Sequence, residues 1–325
     1  MRKKIMKATA WSTMLMLAMC LVLAGCKDSK KSQRENWTDE ETTETEDEED
    51  EETPDTQKTV DVRDARDFIL ALENNTQIDL VTNDPLHLTP AIDELVDEGR
   101  LERFYVNGTP RGDAGVFYEP EYDGNTLIVS GLHNIVIKGT HQDKGFLIVE
   151  PRYAEVIRFY DCKELLIDNV IMGHSDTGDC SGDVLALQKC KNVAVSNCEL
   201  FGCGVNGLSA DHSSDITVTN CQMYGCSDYG VTIRDSKNMS FKGCEIFNNY
   251  GGILADEYCE NVVFNKCKLH DNKGQLFFCY SDIELRNCDV EHHHDDDTSH
   301  VIMSNCRVQM DYTEAEELPD VEPEM

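Results

Sequence analysis

The 325-residue sequence has few basic residues. Its 29 lysines and arginines stand against 62 aspartates and glutamates, and the formal net charge is −33. Residues 1–57 contribute −6 and residues 311–325 contribute −7, which leaves −20 for residues 58–310. Because phosphates are bound by basic surfaces, this charge argues against nucleic acid as a partner. An anionic polysaccharide would need a bridging cation.

Proline is missing from the longest part of the chain. None of the 8 prolines lies between Pro151 and Pro319. Proline cannot donate a hydrogen bond to a neighbouring strand, so it is rare in central strands. The gap therefore favours a long stack of hydrogen-bonded strands between these two positions.

Long apolar runs are missing after the N-terminus. The single such run, ATAWSTMLMLAMCLVLAG, follows the basic start MRKKIMK and is typical of a signal peptide. It ends in Leu23-Ala24-Gly25-Cys26, which resembles the lipobox of bacterial lipoproteins. The resemblance implies that residues 1–25 are removed and that Cys26 carries lipid, so the membrane is contacted through the lipid anchor only. The protein is then expected in the bacterial cell envelope, extracytoplasmic, at the cell surface or the periplasmic face. The alternative is an ordinary secreted start.

Composition divides the rest of the chain into three parts. Residues 26–57 are charged with almost no apolar side chain and predict an extended, disordered acidic tether. Residues 311–325 predict a disordered acidic tail. Residues 58–310 remain for one folded domain, a length that suits a single all-β domain.

The folded part contains a 23-residue repeat. Two copies read NVAVSNCELFGCG from residue 192 and DITVTNCQMYGCS from residue 215. The frame continues in NMSFKGCEI from 238 and NVVFNKCKL from 261, and in DIELRNCDV from 282. Each copy alternates apolar and polar residues as strands do, and a further short strand follows a glycine. A fixed period of this kind predicts stacked units with three short strands each. The helix-period segments of a leucine-rich repeat are absent.

Residues from about 130 to 308 resemble the right-handed parallel β-helix repeat proteins of the pectate-lyase-like superfamily. The resemblance implies an all-β, single-stranded right-handed parallel β-helix, a solenoid in which asparagines stack in a tight turn. Here these are Asn169, Asn197, Asn220, Asn287 and Asn305. Residues 61–80 resemble the family's N-terminal capping helix. The superfamily includes lyases, hydrolases, epimerases and noncatalytic adhesins, so the fold leaves the function open.

The repeated cysteines have three interpretations: a disulfide scaffold, a metal site or a packing ladder. Six share one inward position, namely Cys198, Cys221, Cys244, Cys267, Cys288 and Cys306. They are expected to stack about 4.8 Å apart from rung to rung. We favour buried thiols, since a periodic column needs no pairing, although the spacing would permit some disulfides. Zinc is disfavoured because no column brings four ligands around one point.

The glycine-led strands GLSAD (207), GVTIR (230) and GILAD (252) provide the candidate catalytic residues. Aligning the glycines predicts an outward row of Asp211, Arg234 and Asp256. The two carboxylates would lie about 9 to 10 Å apart, close to the separation in inverting glycosidases. Arg234 would hold a substrate carboxylate or take the role of the pectate-lyase arginine. The alternative is a charge ladder that stabilises an exposed sheet modestly, because an arginine between two carboxylates keeps both ionised.

The same alignment predicts a surface for stacking sugar rings. It places Leu254 and Phe277 outward, with Gln188 on the polar row and Tyr229 and Tyr250 in the adjoining turns. Outward aromatic rings beside polar rows suit the apolar C–H faces of sugars. Partial cover by a loop is the alternative.

The insertion GHSDTGDCSGDV (173–184) interrupts the repeat and is a weak candidate for a metal site. Its potential ligands are His174, Asp176, Asp179 and Asp183, which could bind a hard cation such as Ca²⁺ or supply acid–base groups. Long loops on solenoids are often functional. No other cofactor is expected.

The sequence therefore predicts a monomeric, lipid-anchored β-helix protein that binds polysaccharide or a cell-surface glycan along one strand face. Two alternatives stay open. One is a polysaccharide lyase or glycoside hydrolase that uses the same face, and the other is a surface adhesin or structural protein. A groove that joins Asp211, Arg234 and the 173–184 insertion would favour an enzyme, whereas a flat face would favour binding.

Overall fold

The structure is a computed structural model that describes residues 57–140, 144–175, 178, 181–202, 204–293 and 298–311. Within this part of the chain, no helix is long and apolar enough to cross a membrane. The predicted lipidation site, Cys26, lies outside the described residues.

The first ten elements form the N-terminal end of the fold. In chain order they are β1 Lys58–Val62, α1 Ala65–Leu70, β2 Thr76–Leu80, β3 Leu86–His87, α2 Leu88–Asp97, β4 Glu102–Arg103, β5 Tyr105–Val106, β6 Thr109–Pro110, β7 Gly115–Pro120 and β8 Asn125–Ser130. Helix α1 begins after Asp64, whose side chain accepts a hydrogen bond from the backbone N–H of Asp67 at 2.8 Å. This N-cap satisfies one of the free N–H groups at the start of the helix.

The remaining elements are strands that repeat three to a coil. They are β9 His133–Gly139, β10 Gly145–Val149, β11 Ile157–Tyr160, β12 Lys163–Asp168, β13 Val170–His174, β14 Leu185–Gln188, β15 Lys191–Ser196, β16 Glu199–Phe201, β17 Leu208–Asp211, β18 Ser214–Thr219, β19 Gln222–Tyr224, β20 Tyr229–Arg234, β21 Lys237–Lys242, β22 Glu245–Phe247, β23 Gly252–Glu257, β24 Glu260–Asn265, β25 Lys268–His270, β26 Phe277–Cys279, β27 Ile283–Arg286, β28 Asp289–His293, β29 Val301–Ser304 and β30 Arg307–Asp311.

Three long sheets run along the solenoid axis. Sheet A has the order β1-β2-β9-β12-β15-β18-β21-β24-β27-β29, and sheet B has the order β3-β10-β13-β16-β19-β22-β25-β28-β30. Sheet C has the order β26-β23-β20-β17-β14-β11-β8-β7-β4. The coils pair in parallel throughout, and the antiparallel pairs β7–β8 and β5–β6 belong to the N-terminal end. The chain therefore forms a right-handed parallel β-helix, as the resemblance implied.

The 23-residue repeat sets the register between coils. In sheet A, Val193 pairs with Ile216, which pairs with Met239. These side chains are at most 2% exposed and fill the interior of the solenoid. Phe241 and Phe264 stack within this core with ring centroids 4.4 Å apart. Each coil thus buries its apolar face against the coils above and below it.

The asparagine turn is present as predicted. The five asparagines have φ between 52° and 58°, a left-handed conformation that asparagine tolerates better than most residues. Gly243 and Lys266 replace asparagine in two coils and adopt the same conformation, with φ of 62° and 57°. The turn geometry is therefore kept where the residue type changes.

The capping helix is shorter than predicted. Residues 58–62 and 76–80 are strands of sheet A, and only Ala65–Leu70 between them is helical. The apolar residues chosen for the helix face are nevertheless buried, since Phe68 is fully buried and Ile69 is 1% exposed. Helix α2, in a region that the sequence did not place, packs against α1, β8 and β10 and completes the cap.

The buried-thiol prediction is confirmed for the described residues. Cys198, Cys221, Cys244, Cys267 and Cys288 are free and buried, and Cys306 in the last coil is half-buried. The thiols donate to carbonyl oxygens of the preceding coil, as Cys221 does to Val195 at 3.6 Å. A second column contains both cysteine and serine: the N–H of Cys190 donates to the hydroxyl of Ser213 at 2.9 Å, and the N–H of Ser213 donates to the hydroxyl of Ser236 at 2.9 Å. Cys203 lies outside the described residues.

Candidate functional site

The register of sheet C decides which residues reach the surface. Leu208 pairs with Val231, Val231 with Leu254, and Leu254 with Phe277. All four are fully buried in the core. The prediction that Leu254 and Phe277 form an outward apolar patch is therefore wrong.

Asp256 also points inward, which corrects the predicted catalytic row. It pairs with Ile233, which pairs with Ala210 in the same inward column, and it is 3% exposed. The partner of Arg234 on the next coil is Glu257. The outward position that the sequence assigned to Asp256 is thus occupied by Glu257.

The error came from aligning glycines that are required for different reasons. A Cβ on Gly230 would lie 2.3 Å from Cγ2 of Ile246 in the core. A Cβ on Gly252 would lie 2.3 Å from the carbonyl oxygen of Gln275, and Gly252 has a φ of 149°. Gly252 pairs with Tyr229 and not with Gly230, so the strand is offset by one residue. A one-residue offset exchanges the inward and outward faces of a strand.

Two outward columns define the exposed face of sheet C. The first has small side chains in its middle and larger ones at its ends: Arg158, Ala186, Ser209, Thr232, Ala255 and Phe278. The second is polar and comprises Tyr160, Gln188, Asp211, Arg234 and Glu257. Arg158 and Phe278 are five rungs apart, or about 24 Å at the usual strand spacing.

These columns form a groove, which we call the sheet C groove. The small side chains Ala186, Ser209, Thr232 and Ala255 make its floor. Its volume is about 550 Å³, and its lining also includes Tyr105, Glu155, Asp183 and Tyr280. The groove runs along the solenoid axis, across the strands that supply it.

An ion pair links two coils at the centre of the groove. Nε of Arg234 donates to Oδ1 of Asp211 at 2.8 Å, and Nε2 of Gln188 donates to Oδ2 of Asp211 at 3.3 Å. Partial burial acts to raise the pKa of the Asp211 carboxyl, but the hydrogen bonds from Arg234 and His212 outweigh it and the pKa is lowered. Asp211 is therefore ionised at neutral pH.

A second and more buried ion pair lies at one end of the groove. Nε and Nη2 of Arg158 donate to the two carboxylate oxygens of Glu155, both at 2.7 Å. The side chains are 18% and 11% exposed. Burial acts to lower the pKa of Arg158, but the charge and hydrogen bonds of Glu155 raise it. This bidentate geometry holds the guanidinium in a fixed orientation.

Asp183 lies beside this pair and has a perturbed carboxyl. Burial and, after it, the negative charge of Glu155 raise the pKa of Asp183 to about 6. Hydrogen bonds from Ser209 and Asn206 act in the opposite direction, and Nδ2 of Asn206 donates to Oδ1 of Asp183 at 2.8 Å. A carboxyl that titrates near pH 6 can both donate and accept a proton under ordinary conditions.

Aromatic rings lie at the other end of the groove. Phe278 and Tyr280 are 41% and 61% exposed, and their ring centroids are 5.2 Å apart in an edge-to-face arrangement. The predicted stacking residues Tyr229 and Tyr250 do not line the groove. Tyr250 is exposed, but Nζ of Lys273 lies 4.3 Å from the centroid of its ring and covers one face.

The 173–184 insertion contributes one residue to the groove, Asp183, whereas Asp176 and Asp179 lie outside the described residues. His174 is 3% exposed, and its Nε2 donates to the carbonyl oxygen of Ala154 at 2.9 Å. Burial lowers the pKa of His174, so its imidazole is neutral at neutral pH. Ca²⁺ prefers oxygen ligands, and a buried imidazole does not provide them.

A second group of potential ligands comprises Asp211, His212 and Asp235, whose donor atoms lie within 4.8 Å of one another. Two carboxylates and an imidazole are too few oxygen ligands for Ca²⁺, which takes six to eight. Asp211 is also already paired with Arg234. Calcium binding therefore stays a prediction that rests on the insertion.

Several groove residues were missed from the sequence. Counting 23 residues from Arg234 leads to Glu257, so strict periodicity would have found it. Glu155 and Arg158 lie before the insertion. There, paired residues of adjacent strands are 28 positions apart in sequence, as Arg158 and Ala186 are. Tyr105 lies in the N-terminal elements and has no repeat signal at all.

The comparisons with known proteins agree with this architecture. A family model described as the right-handed β-helix region matches residues 155–308. The chain is a parallel β-helix repeat protein. No curated protein matches it in sequence.

Solved structures similar to this β-helix protein include enzymes and an adhesin. An alginate lyase from a Paenibacillus species is 11% identical, with a TM-score of 0.43, covering 77% of this chain and 95% of the lyase. The A-module of a mannuronan C-5 epimerase from Azotobacter vinelandii is 12% identical, with a TM-score of 0.32, covering 76% and 88%. A surface adhesin of Streptococcus pneumoniae is 12% identical, with a TM-score of 0.32, covering 78% and 79%. At these identities the likeness concerns the fold.

Proposed function

We propose that this β-helix protein binds a polysaccharide along the sheet C groove. The observation that carries the proposal is the continuous floor of small side chains across four coils, bounded by Arg158 and Phe278. Such a floor leaves room for an extended chain that lies along the axis. The hydroxyls of Ser209 and Thr232 offer hydrogen bonds to sugar hydroxyls, and the exposed rings of Phe278 and Tyr280 offer apolar contact to sugar C–H faces.

The proposal includes the location of the protein. The LAGC sequence at Leu23–Cys26 supports lipid attachment at Cys26, and residues 26–57 would then tether the β-helix to the outer face of a membrane. In this arrangement the sheet C groove faces extracellular or periplasmic glycans. A Cys26→Ser variant is expected to incorporate no labelled fatty acid, whereas the unaltered protein is expected to incorporate it.

The binding test fills the groove without altering the core. Thr232 is half-buried on the groove floor, and Thr232→Trp places a large ring there. The matched control is Thr217→Trp, which makes the same exchange at a half-buried outward position of sheet A. Binding to a panel of neutral, acidic and basic polysaccharides is measured by co-sedimentation or calorimetry, with and without calcium.

We expect binding of at least one polymer, loss of that binding in Thr232→Trp, and no change in Thr217→Trp. Equal binding by both variants would place the polysaccharide elsewhere on the molecule. Binding to protein ligands but to no polysaccharide would favour the adhesin alternative.

A second candidate function, cleavage of the bound polysaccharide, is supported by Asp183. Its raised pKa, about 6, suits a proton donor, and it lies in the groove with the carboxylates of Asp211 and Glu257. Asp211 and Glu257 are two rungs apart, or about 10 Å, near the separation of inverting glycosidases. Release of new reducing ends or unsaturated products that disappears in Asp183→Asn would establish an enzyme. Release that persists in that variant would remove Asp183 from the chemistry.

A further inference from the structure

The positive charges of the sheet C groove are already neutralised by protein groups. Its two lining cations are Arg158 and Arg234. Arg158 forms two hydrogen bonds of 2.7 Å with Glu155, and Arg234 forms one of 2.8 Å with Asp211. A carboxylate or sulfate on a ligand would have to compete with these internal partners. The groove is therefore poorly suited to an anionic polysaccharide.

Two further carboxylates in the groove have no cationic partner of their own. Asp183 accepts hydrogen bonds from the neutral groups of Asn206 and Ser209. Glu257 is half-buried, and within the described part of the chain its carboxylate forms no hydrogen bond and no ion pair within 4 Å. When all groups are ionised, the lining residues, with the inward Asp256 included, carry five negative and two positive charges. The groove thus attracts positive charge.

The end of the groove near Glu257 combines this negative charge with open aromatic rings. Ala255 of β23 pairs with Phe278, and Phe278 contacts Tyr280 edge to face. Glu257, two residues after Ala255, lines the same groove as both rings. Both rings are exposed to solvent. Protonated amines are attracted both to carboxylates and to aromatic ring faces. A carboxylate beside two exposed rings is thus suited to an ammonium group.

We propose that the sheet C groove binds a polysaccharide that carries protonated amino groups, a cationic amino-sugar polymer, in preference to a neutral or uronic acid polymer. This inference rests on the proposed function, because it names the class of polysaccharide for the same groove. Glu257 with Phe278 and Tyr280 forms the subsite for one ammonium group, and Asp183 receives a second one further along the chain. The ion pairs Arg158–Glu155 and Arg234–Asp211 provide polar contacts to sugar hydroxyls.

The experiment compares ligands that share a backbone and differ in charge. The full-length protein is titrated at low salt with a chitosan hexasaccharide, with the same hexasaccharide after N-acetylation, and with alginate and polygalacturonate hexamers. Each titration is done with and without calcium. An N-trimethylated chitosan oligomer, whose charge does not vary with pH, serves as a further cationic probe.

We expect the cationic hexasaccharides to bind at least about tenfold more tightly than the N-acetylated one, a preference that decreases at high salt. Glu257→Gln removes the charge with little change in shape and is expected to reduce this preference several-fold, because it weakens binding of the cationic ligands more than that of the N-acetylated one. Glu260→Gln, at an exposed position on sheet A, is the matched control. It is expected to leave both the preference for cationic ligands and the binding of the N-acetylated ligand unchanged.

The outcomes separate this inference from the proposed function. Equal or tighter binding of the N-acetylated or uronate hexamers, still blocked by Thr232→Trp, would overturn the cationic preference and keep the groove as the polysaccharide site. An unchanged preference in Glu257→Gln would also overturn it. Absence of binding by every oligomer would overturn both proposals.

Discussion

At the scale of single residues, Asp183 links the chemistry of the groove to the stability of the fold. Its pKa is raised from 3.8 to about 6 by burial and by the charge of Glu155. A carboxyl whose pKa is higher in the folded than in the unfolded state binds its proton more tightly when folded, so ionisation destabilises the fold. The free energy of unfolding should therefore fall as pH rises from about 4 to about 6, and this contribution should be constant above that range.

Asp183→Asn tests this pH dependence. Relative to the unaltered protein, the variant should gain about 1–3 kcal/mol of unfolding free energy between pH 4 and pH 7.5, as measured by denaturant titration at each pH. The control, Asp161→Asn, changes an exposed turn residue with φ of 51° that asparagine also tolerates, and it should show no such gain. If the unfolding free energies of Asp183→Asn and of the unaltered protein change with pH in parallel, the pKa of Asp183 is not raised in the folded state.

Asp256 is the second residue whose environment conflicts with its charge. It is 3% exposed, and neither of its carboxylate oxygens has a hydrogen-bond partner within the described part of the chain. An unpartnered polar group in an apolar core costs about 1–3 kcal/mol.

Asp256→Leu replaces this carboxylate with an apolar side chain of the kind found in its column, such as Ile233. The variant should be more stable than the unaltered protein by about 1–3 kcal/mol in denaturant titrations. Asp256→Asn keeps a polar group at the site and should gain less. If Asp256→Leu unfolds more easily than both the unaltered protein and Asp256→Asn, then Asp256 has a polar partner that holds it in place.

At the scale of secondary-structure elements, the sequence predicted the coils well. Parallel pairing places residues 23 apart in adjacent strands, so the period alone identified the inward valines and isoleucines of sheets A and B and the buried cysteines in the turns between them. The N-terminal end was harder to predict. Phe68 and Ile69 are buried as expected, but the segments on either side of α1 pair with sheet A, and the partners of these strands are distant in sequence. Local periodicity contains no information about such contacts.

The sequence was least informative about register within a single strand. Asp211, Arg234 and Gln188 occupy the outward polar column as predicted, because the strands that carry them pair in the 23-residue register. Leu254, Asp256 and Phe277 were misplaced because Gly252 was assumed to be equivalent to Gly230. Glycine is required at 252 by the close approach of the Gln275 carbonyl group, which only the folded backbone reveals.

Gly252→Ala tests that explanation of the register. A Cβ at this position would lie 2.3 Å from the carbonyl oxygen of Gln275. A residue with a side chain would also be strained at the φ of 149° that Gly252 adopts. We expect a loss of about 2–4 kcal/mol of unfolding free energy, which for a domain of this size lowers the Tm by roughly 5–15 °C in calorimetry. Gly112→Ala is the control, since nothing lies within 4 Å of its Cβ and its φ is not left-handed. Similar melting temperatures for both variants would contradict the close approach at Gly252.

At the scale of the whole molecule, the three sheets offer different surfaces. Sheet B carries an outward stack of rings, in which Tyr224 lies 4.9 Å from Phe247 and Phe247 lies 5.5 Å from His270, with near-parallel planes. Because these rings cover one another's faces, the stack supports the sheet. The rings of Phe278 and Tyr280 on sheet C meet edge to face and are exposed. Sheet C therefore combines the groove, its charges and accessible rings on one side of the solenoid.

A crystal structure of the protein with a bound oligosaccharide would show whether a polysaccharide lies along the sheet C groove. We expect sugar rings above Ser209, Thr232 and Ala255, running parallel to the solenoid axis, with one end near Arg158 and the other near Phe278. Sugar bound instead on sheet A, on sheet B or at the C-terminal coil would show that the groove is not the binding site.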